Sequence, residues 1–184
     1  MDTIGLHKVL VRQVLEHAHD YDWKMQDIGL LGLRLDEGRE YRLHVWSPDR
    51  SHGSRVIHDH PYDFDSRIIV GELTNIRYVE DPSGINYVRD RYSPSNEDVR
   101  STDMVQLVGS RETYGEGDVY AQSAPELHDS YQLPGTVTVL RMVFRHRNEL
   151  TTCRSEDATW VSGLSRPATA DEVTSITSVA LGLF

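Results

Sequence analysis

Ile57-His58-Asp59-His60-Pro61 places two imidazoles one residue apart, just before a β-like run that ends at Gly71. A third histidine, His128, stands far downstream, where the chain turns into another strand. Side chains at i and i+2 leave a β-strand on the same face, so His58 and His60 can grip one ion from neighbouring positions while a strand folded back over them supplies His128. Imidazole suits Fe, Zn, Ni and Cu alike, so the three residues define a metal site without choosing the metal. His7, His17 and His19 do not make a second one, because His17 and His19 point in different directions on a helix.

The residues that must position this trio read mainly as strands. Ile28 to Leu35 and Tyr41-Arg42-Leu43-His44-Val45-Trp46, joined by Asp36-Glu37-Gly38, predict an antiparallel pair. Further strands are expected at Arg67–Val70, Leu73–Val79, Met104–Val108, Val119–Gln122, Ser130–Leu133 and Val137–Phe144. Many short strands with turns between them predict a sandwich or small barrel. Helical spacing of apolar residues predicts a helix over 3–19, and Thr169-Ala170-Asp171-Glu172 is a capping box that opens a second helix near the end. The polar stretch from Glu80 to Asp103 is longer than an ordinary hairpin loop and reads as a lid, a subunit contact or a mobile insertion.

Composition narrows the function classes. A chain of 184 residues fits one domain, with 1–22 as a helical extension, 23–150 as the β core and 151–184 as a second extension carrying a helix. A net charge of −10 with no Lys/Arg-rich run argues against nucleic acid as a partner. The single cysteine, Cys153, excludes an intrachain disulfide and fits a reducing cytoplasm, and no apolar run approaches membrane length. A small-molecule substrate is the expected partner. A substrate carboxylate would want a guanidinium on the inner wall; Arg34, Arg42, Arg67 and Arg141 all lie in expected strands, with Arg67 and Arg141 taken as candidates. Tyr62, Tyr120 and Tyr131 are candidates for lining the pocket or donating a proton near the metal, although each residue type more often packs.

Two stretches resemble the paired motifs of the cupin superfamily. The first motif, G-x5-H-x-H-x3-E-x6-G, is approximated from Gly53 to Gly71, with the leading glycine one position off. The second, G-x5-P-x-G-x2-H-x3-N, keeps its register from Gly117 to Gln132, with Ser123, Pro125 and Gln132 in place of Pro, Gly and Asn. Phe64 stands where the first motif has its glutamate ligand and cannot bind a metal; Asp65, beside it, is a candidate carboxylate ligand, and Asp63 can instead bond a backbone amide.

The three-histidine set is similar to that of cysteine dioxygenase-type cupins, and Val45-Trp46 and Gly71-Glu72-Leu73-Thr74 extend the likeness over roughly residues 40–145. The resemblance implies a mainly β, cupin-type jelly roll with terminal helices, Fe(II) as the favoured metal, and O2-dependent oxidation of a small thiol or acid. It also implies a homodimer. A Zn, Ni or Mn isomerase or lyase and a non-catalytic binding cupin are the alternatives.

Overall fold

A computed structural model describes residues 3–26, 28–38, 40–48, 56–93, 99–145, 149–158 and 165–184. Gly53, the leading glycine of the first motif, lies outside the described residues. Helix α1 (Thr3–Glu16) and a short 3₁₀ turn (Ala18–Asp20) precede β1 (Lys24–Gln26), β2 (Leu30–Arg34) and β3 (Tyr41–Trp46). Next come β4 (Ile57–His58), β5 (Tyr62–Val70), β6 (Leu73–Tyr92), β7 (Val99–Tyr114), β8 (Val119–Gln122), β9 (Leu127–Gln132) and β10 (Val137–Arg145). The chain closes with β11 (Leu150–Arg154), β12 (Ser165–Pro167) and α2 (Ala170–Leu181).

Two antiparallel sheets face each other. The first has the order β12-β1-β2-β3-β10-β5-β8 and the second β11-β4-β9-β6-β7. Within them, β3 to β10 split into the quartets β3-β10-β5-β8 and β4-β9-β6-β7, the interleaving of a jelly roll. This topology makes β4 and β9 neighbours although 68 residues separate His60 from His128. β11 belongs to the second sheet, pairing with both β4 and β6, and β12 to the first, so residues expected to form an extension build both sheets.

Each layer follows from period-two alternation. On β3, Leu43 and Val45 point out of the sandwich into a core with Leu15, Trp23, Val173 and Ile176, which fastens both helices over the first sheet. The intervening Arg42, His44 and Trp46 face the interior. Leu30, Phe64, Ile68, Tyr120 and Leu140 form the apolar part of that interior. A third cluster of Ile57, Val105, Leu107 and Cys153 includes the strand neighbour of His58.

The turn from β5 to β6 needs the glycine that closes the first motif. Gly71 has φ +86°, and a Cβ there would meet Thr136 Oγ1 at 2.5 Å. Thr136 Oγ1 donates to Glu72 O at 3.0 Å and ties the turn to the start of β10.

The polar stretch from Glu80 to Asp103 is a strand hairpin over its described part, rather than an irregular insertion. β6 and β7 run antiparallel, with Arg89 opposite Asp103 in register and donating from Nε to its carboxylate at 2.8 Å. Glu80 and Ile85 both face Leu107, so Asp81–Gly84 forms a bulge, and Gly84 is required because a Cβ would stand 2.5 Å from the Leu107 backbone. Most of β7 is exposed, and its sequence therefore carries little apolar alternation.

The C-terminal helix starts as its capping box predicts. Thr169 Oγ1 accepts from Glu172 N at 3.2 Å, and Glu172 Oε2 accepts from Thr169 N at 2.9 Å. Thr169→Ala is expected to lower stability by about 1 kcal/mol in chemical denaturation. Arg166 beside Glu172, helped by the Thr169 N–H, holds the Glu172 carboxyl down at about 2. A depressed carboxyl stabilises above its ordinary value near 4.5, and that contribution fades as pH falls toward 2. At the other end, the expected helix over 3–19 stops at Glu16 and tightens into the 3₁₀ turn.

No helix among the described residues is long and apolar enough to cross a membrane.

Candidate metal centre

β4 contributes only Ile57 and His58, pinned between β9 and β11: His58 lies opposite His128 on one side and Thr152 on the other. Asp59 turns away from the histidines. Its carboxylate accepts from Thr151 N at 2.7 Å while its own N–H donates to Thr151 O at 3.1 Å, a two-bond clamp onto β11. His60 is then held by its N–H to Ala124 O at 3.0 Å. The alternation anticipated for His-x-His is thus fixed by Asp59 bonding outward between two inward imidazoles.

The three rings converge, with centroids 4.7 to 5.1 Å apart, and their candidate ligand atoms all lie within 4.8 Å of one another. Nε2 of His60 and Nε2 of His128 are 2.9 Å apart. Two nitrogens each about 2.0–2.1 Å from one ion at a right angle would be separated by about 3 Å. At that distance the two nitrogens also stand within N–H···N hydrogen-bond reach of each other.

The hydrogen bonds behind the rings assign two of the tautomers. A carbonyl can only accept, so His58 Nδ1 donates to Val56 O at 2.9 Å, leaving the Nε2 lone pair for the cluster. For His128 the assignment runs through a relay. Gln122 Nε2 donates to Glu126 O at 3.1 Å, which orients the Gln122 oxygen to accept from Asn75 Nδ2 at 3.1 Å. Asn75 then presents Oδ1 to His128 Nδ1 at 2.8 Å, so that nitrogen carries the proton and Nε2 again offers a lone pair. Burial pushes both His60 and His128 well below the ordinary histidine range, with the neighbouring His58 adding to the effect. Neutral imidazole is the ligating form.

The chain is a jelly-roll sandwich with three histidines that could hold a metal ion.

No family model matches the chain, and no curated protein matches it. Among solved structures, it resembles the chain described as "Crystal structure of drosophila melanogaster CENP-C bound to CAL1". The identity is 10%, the match covers 77% of this chain and 100% of that one, and the TM-score is 0.45.

The histidines open on a cavity of about 90 Å³ between the sheets. Tyr62 and Tyr120, both singled out from sequence, line it. Tyr62 accepts from Arg42 Nη1 at 3.1 Å, whereas Tyr120 is buried, stacks on Tyr114 with centroids 4.8 Å apart, and has its hydroxyl pushed up to about 12 by burial. Phe64 fills the position of the absent glutamate with its ring edge-on to His60 at 5.0 Å.

Four other sequence candidates lie elsewhere. Asp65 is no ligand to the cluster: with Phe64 and Ser66 facing inward, it points out and pairs with Arg141 at 2.6 Å. The same parity places Arg67 outside the cavity, with Nη1 donating to Gly117 O at 3.2 Å. Arg141, opposite Asp65 in register, is half-exposed. Tyr131 lies on the face of β9 opposite His128, with the Arg111 guanidinium 5.9 Å from its ring centroid. Asp63 accepts from Ala124 N at 2.7 Å, bracing the turn that also holds His60.

Arg42 and His44 are the polar groups on the cavity wall of β3. Arg42 was one of four strand arginines in the sequence, and His44 carried no signal beyond its strand position. His44 is 9% exposed, its Nε2 has no hydrogen-bond partner among the described residues, and burial followed by the Arg42 charge pulls its pKa to about 3. Arg42 Nε is likewise buried without a partner among the described residues. Two nitrogens left without partners beside a cavity are groups a bound ligand can satisfy.

Cys153 is fully buried behind the site, with its Cα opposite Ile57 of β4. Burial, with the carboxylates of Asp59, Glu80 and Asp103 adding, raises its thiol to about 12. Iodoacetamide at pH 8 is expected to leave the folded protein unlabelled and to modify Cys153 fully after denaturation, as read by intact mass.

Proposed function

We propose that this chain is a metal-dependent oxidoreductase that holds Fe(II) through His58, His60 and His128 and oxidises a small anionic molecule with O2. The observation that carries the reading is the donor set: three imidazoles converging on one point, two with their outer nitrogens committed to Val56 and Asn75. Iron held there would supply a redox centre at which O2 and substrate meet. The protein's part is to hold His58 and His128 in their ligating tautomers, limit the ligand set to histidine by placing Phe64 beside His60, and line the cavity with apolar groups.

Arg42 gives the proposal its substrate class, since a guanidinium on the cavity wall suits a carboxylate or another oxyanion. For a thiol-bearing acid the balanced reaction adds both oxygen atoms of O2 to sulfur, giving a sulfinic acid. The test is O2 consumption by Fe(II)-reconstituted protein against a panel of small thiol carboxylates and other small acids, with product masses. Oxygen uptake that needs both Fe(II) and substrate supports the reading. Turnover under nitrogen with Zn, Ni or Mn would replace it with an isomerase or lyase, and ligand-induced stabilisation without product would replace it with a binding cupin.

A further inference from the structure

The first sheet carries β2 and β1 beyond β3, and the register fixes which of their residues share the inward face of Arg42, His44 and Trp46. Arg34 lies opposite Arg42, Gly32 opposite His44, and Lys24 opposite Gly32. The alternate residues Met25, Leu31 and Leu33 pack outward into the core beneath the helices. Gln26 and Leu30, further along the same inward face, line the cavity itself. Lys24 and Arg34 are nonetheless exposed, so the second sheet does not cover this part of the first. The inner face of β1 and β2 is an open shelf continuous with the cavity wall.

This shelf is basic in a chain whose net charge is −10. Arg77, Arg89, Arg141, Arg154 and Arg166 each pair with a carboxylate, whereas no ion pair among the described residues involves Lys24, Arg34 or Arg42. Asp36, two residues beyond Arg34, has its carboxylate taken up by the N–H groups of Glu40 at 3.1 Å and Tyr41 at 2.7 Å. Like charges directly opposite each other on neighbouring strands repel, so the Arg34–Arg42 pair carries an unfavourable term that bound negative charge would remove. Arg42 donates to Tyr62 on β5, across the intervening β10, and so leans away from Arg34. The two guanidiniums therefore face separate parts of a ligand rather than close on one carboxylate. Gly32 puts no side chain on the face between Lys24 and His44, and even a Cβ there would meet nothing nearer than 3.9 Å. Beside this gap His44 is nine-tenths buried with Nε2 unpartnered among the described residues, a polar group that a ligand crossing Gly32 can satisfy.

We propose that the ligand of this cavity is a dianion: one acidic group sits at Arg42 near the histidines, and a second, on a chain that crosses Gly32, is bound by Arg34 and Lys24. The inference rests on the reading of Arg42 as the anion site of the cavity and adds to it the second charge and the reach of the molecule. In a chain this acidic, the shelf also gives an approaching anion a local positive field at the margin of the cavity.

The test is isothermal titration of the full chain, under nitrogen and at low salt, with the saturated dicarboxylates from succinate to adipate and with the monocarboxylates of the same chain lengths. At least one dicarboxylate is expected to bind about tenfold or more tighter than its monocarboxylate. Arg34→Gln/Lys24→Gln is expected to abolish that preference while changing monocarboxylate affinity by less than about threefold, and Arg42→Met is expected to weaken both classes. Both shelf side chains are exposed, and a melting temperature near wild type checks that the double variant is folded. Equal affinity for the two classes in the wild-type protein overturns the proposal, as does a preference that survives the glutamine pair. Undiminished dicarboxylate affinity in Arg42→Met overturns it too, because both acidic groups would then lie on the shelf. Binding is read without O2, so a failure of the oxidation chemistry leaves these outcomes unchanged. Monocarboxylate binding that is lost in Arg42→Met, with no preference for dicarboxylates, would spare the Arg42 site and overturn the second charge.

Discussion

Alanine in place of His60 or His128 is expected to reduce bound metal from near-stoichiometric to below detection after desalting, with loss of any metal-dependent turnover. The centre has three protein ligands, and structural zinc sites with four ligands bind with about 10–16 kcal/mol, so one ligand is worth about 3 kcal/mol and its removal costs about 100-fold or more in affinity. His128 is the more severe test because its loss also strands Asn75 Oδ1, which is buried with Ser130 Oγ as its remaining donor at 3.3 Å.

A graded version separates coordination from orientation. Asn75→Ala keeps all three imidazoles but removes the acceptor that fixes the His128 tautomer, and metal affinity is expected to fall about 10–100-fold. Elemental analysis of the His60→Ala, His128→Ala and Asn75→Ala proteins, with thermal shift on adding Fe(II), reads both effects. Metal held at wild-type stoichiometry in His60→Ala would remove the three-histidine assignment.

What the sequence made legible follows from how local each signal is. The His-x-His spacing, the capping box at Thr169 and the strand Tyr41–Trp46 each depend on a few adjacent residues, and each stands in the fold where those residues put it. Which face of a strand looks inward depends instead on what covers the other face. On β3 the alternation was readable, but only the packing of α1 and α2 against Leu43 and Val45 shows that Arg42 and His44 are the interior pair. On β5 a signal did exist: if Phe64 is inward, Asp65 and Arg67 must be outward, and Arg141 follows Asp65 through the register. The Glu80 to Asp103 stretch, read as a lid, a subunit contact or a mobile insertion, did not show itself as strand for a different reason. Its cross-strand bonds and the Arg89–Asp103 pair hold residues that are largely exposed on β7, and hydrophobic alternation reports burial rather than strand pairing.

Arg42→Met is the variant expected to separate anion recognition from metal binding. Arg42 keeps one donor on Tyr62, and its ring-facing geometry, with the guanidinium 5.3 Å from the Tyr62 centroid, holds the group at the cavity wall. Its Nε is left for a ligand. Removing one member of a buried charge-assisted contact costs about 2–5 kcal/mol, so the affinity for a small carboxylate should fall about 30-fold or more, while the methyl ester or amide of the same acid should bind both proteins alike. Methionine preserves much of the aliphatic stem, so metal content and melting temperature should stay near wild type. The neighbouring His44 cannot take over the charge: with its pKa near 3 it stays neutral at any pH where the fold would be assayed. Isothermal titration of the acid and its ester into wild-type and Arg42→Met protein decides the matter, and equal loss for acid and ester would make Arg42 a packing residue of the wall rather than its anion site.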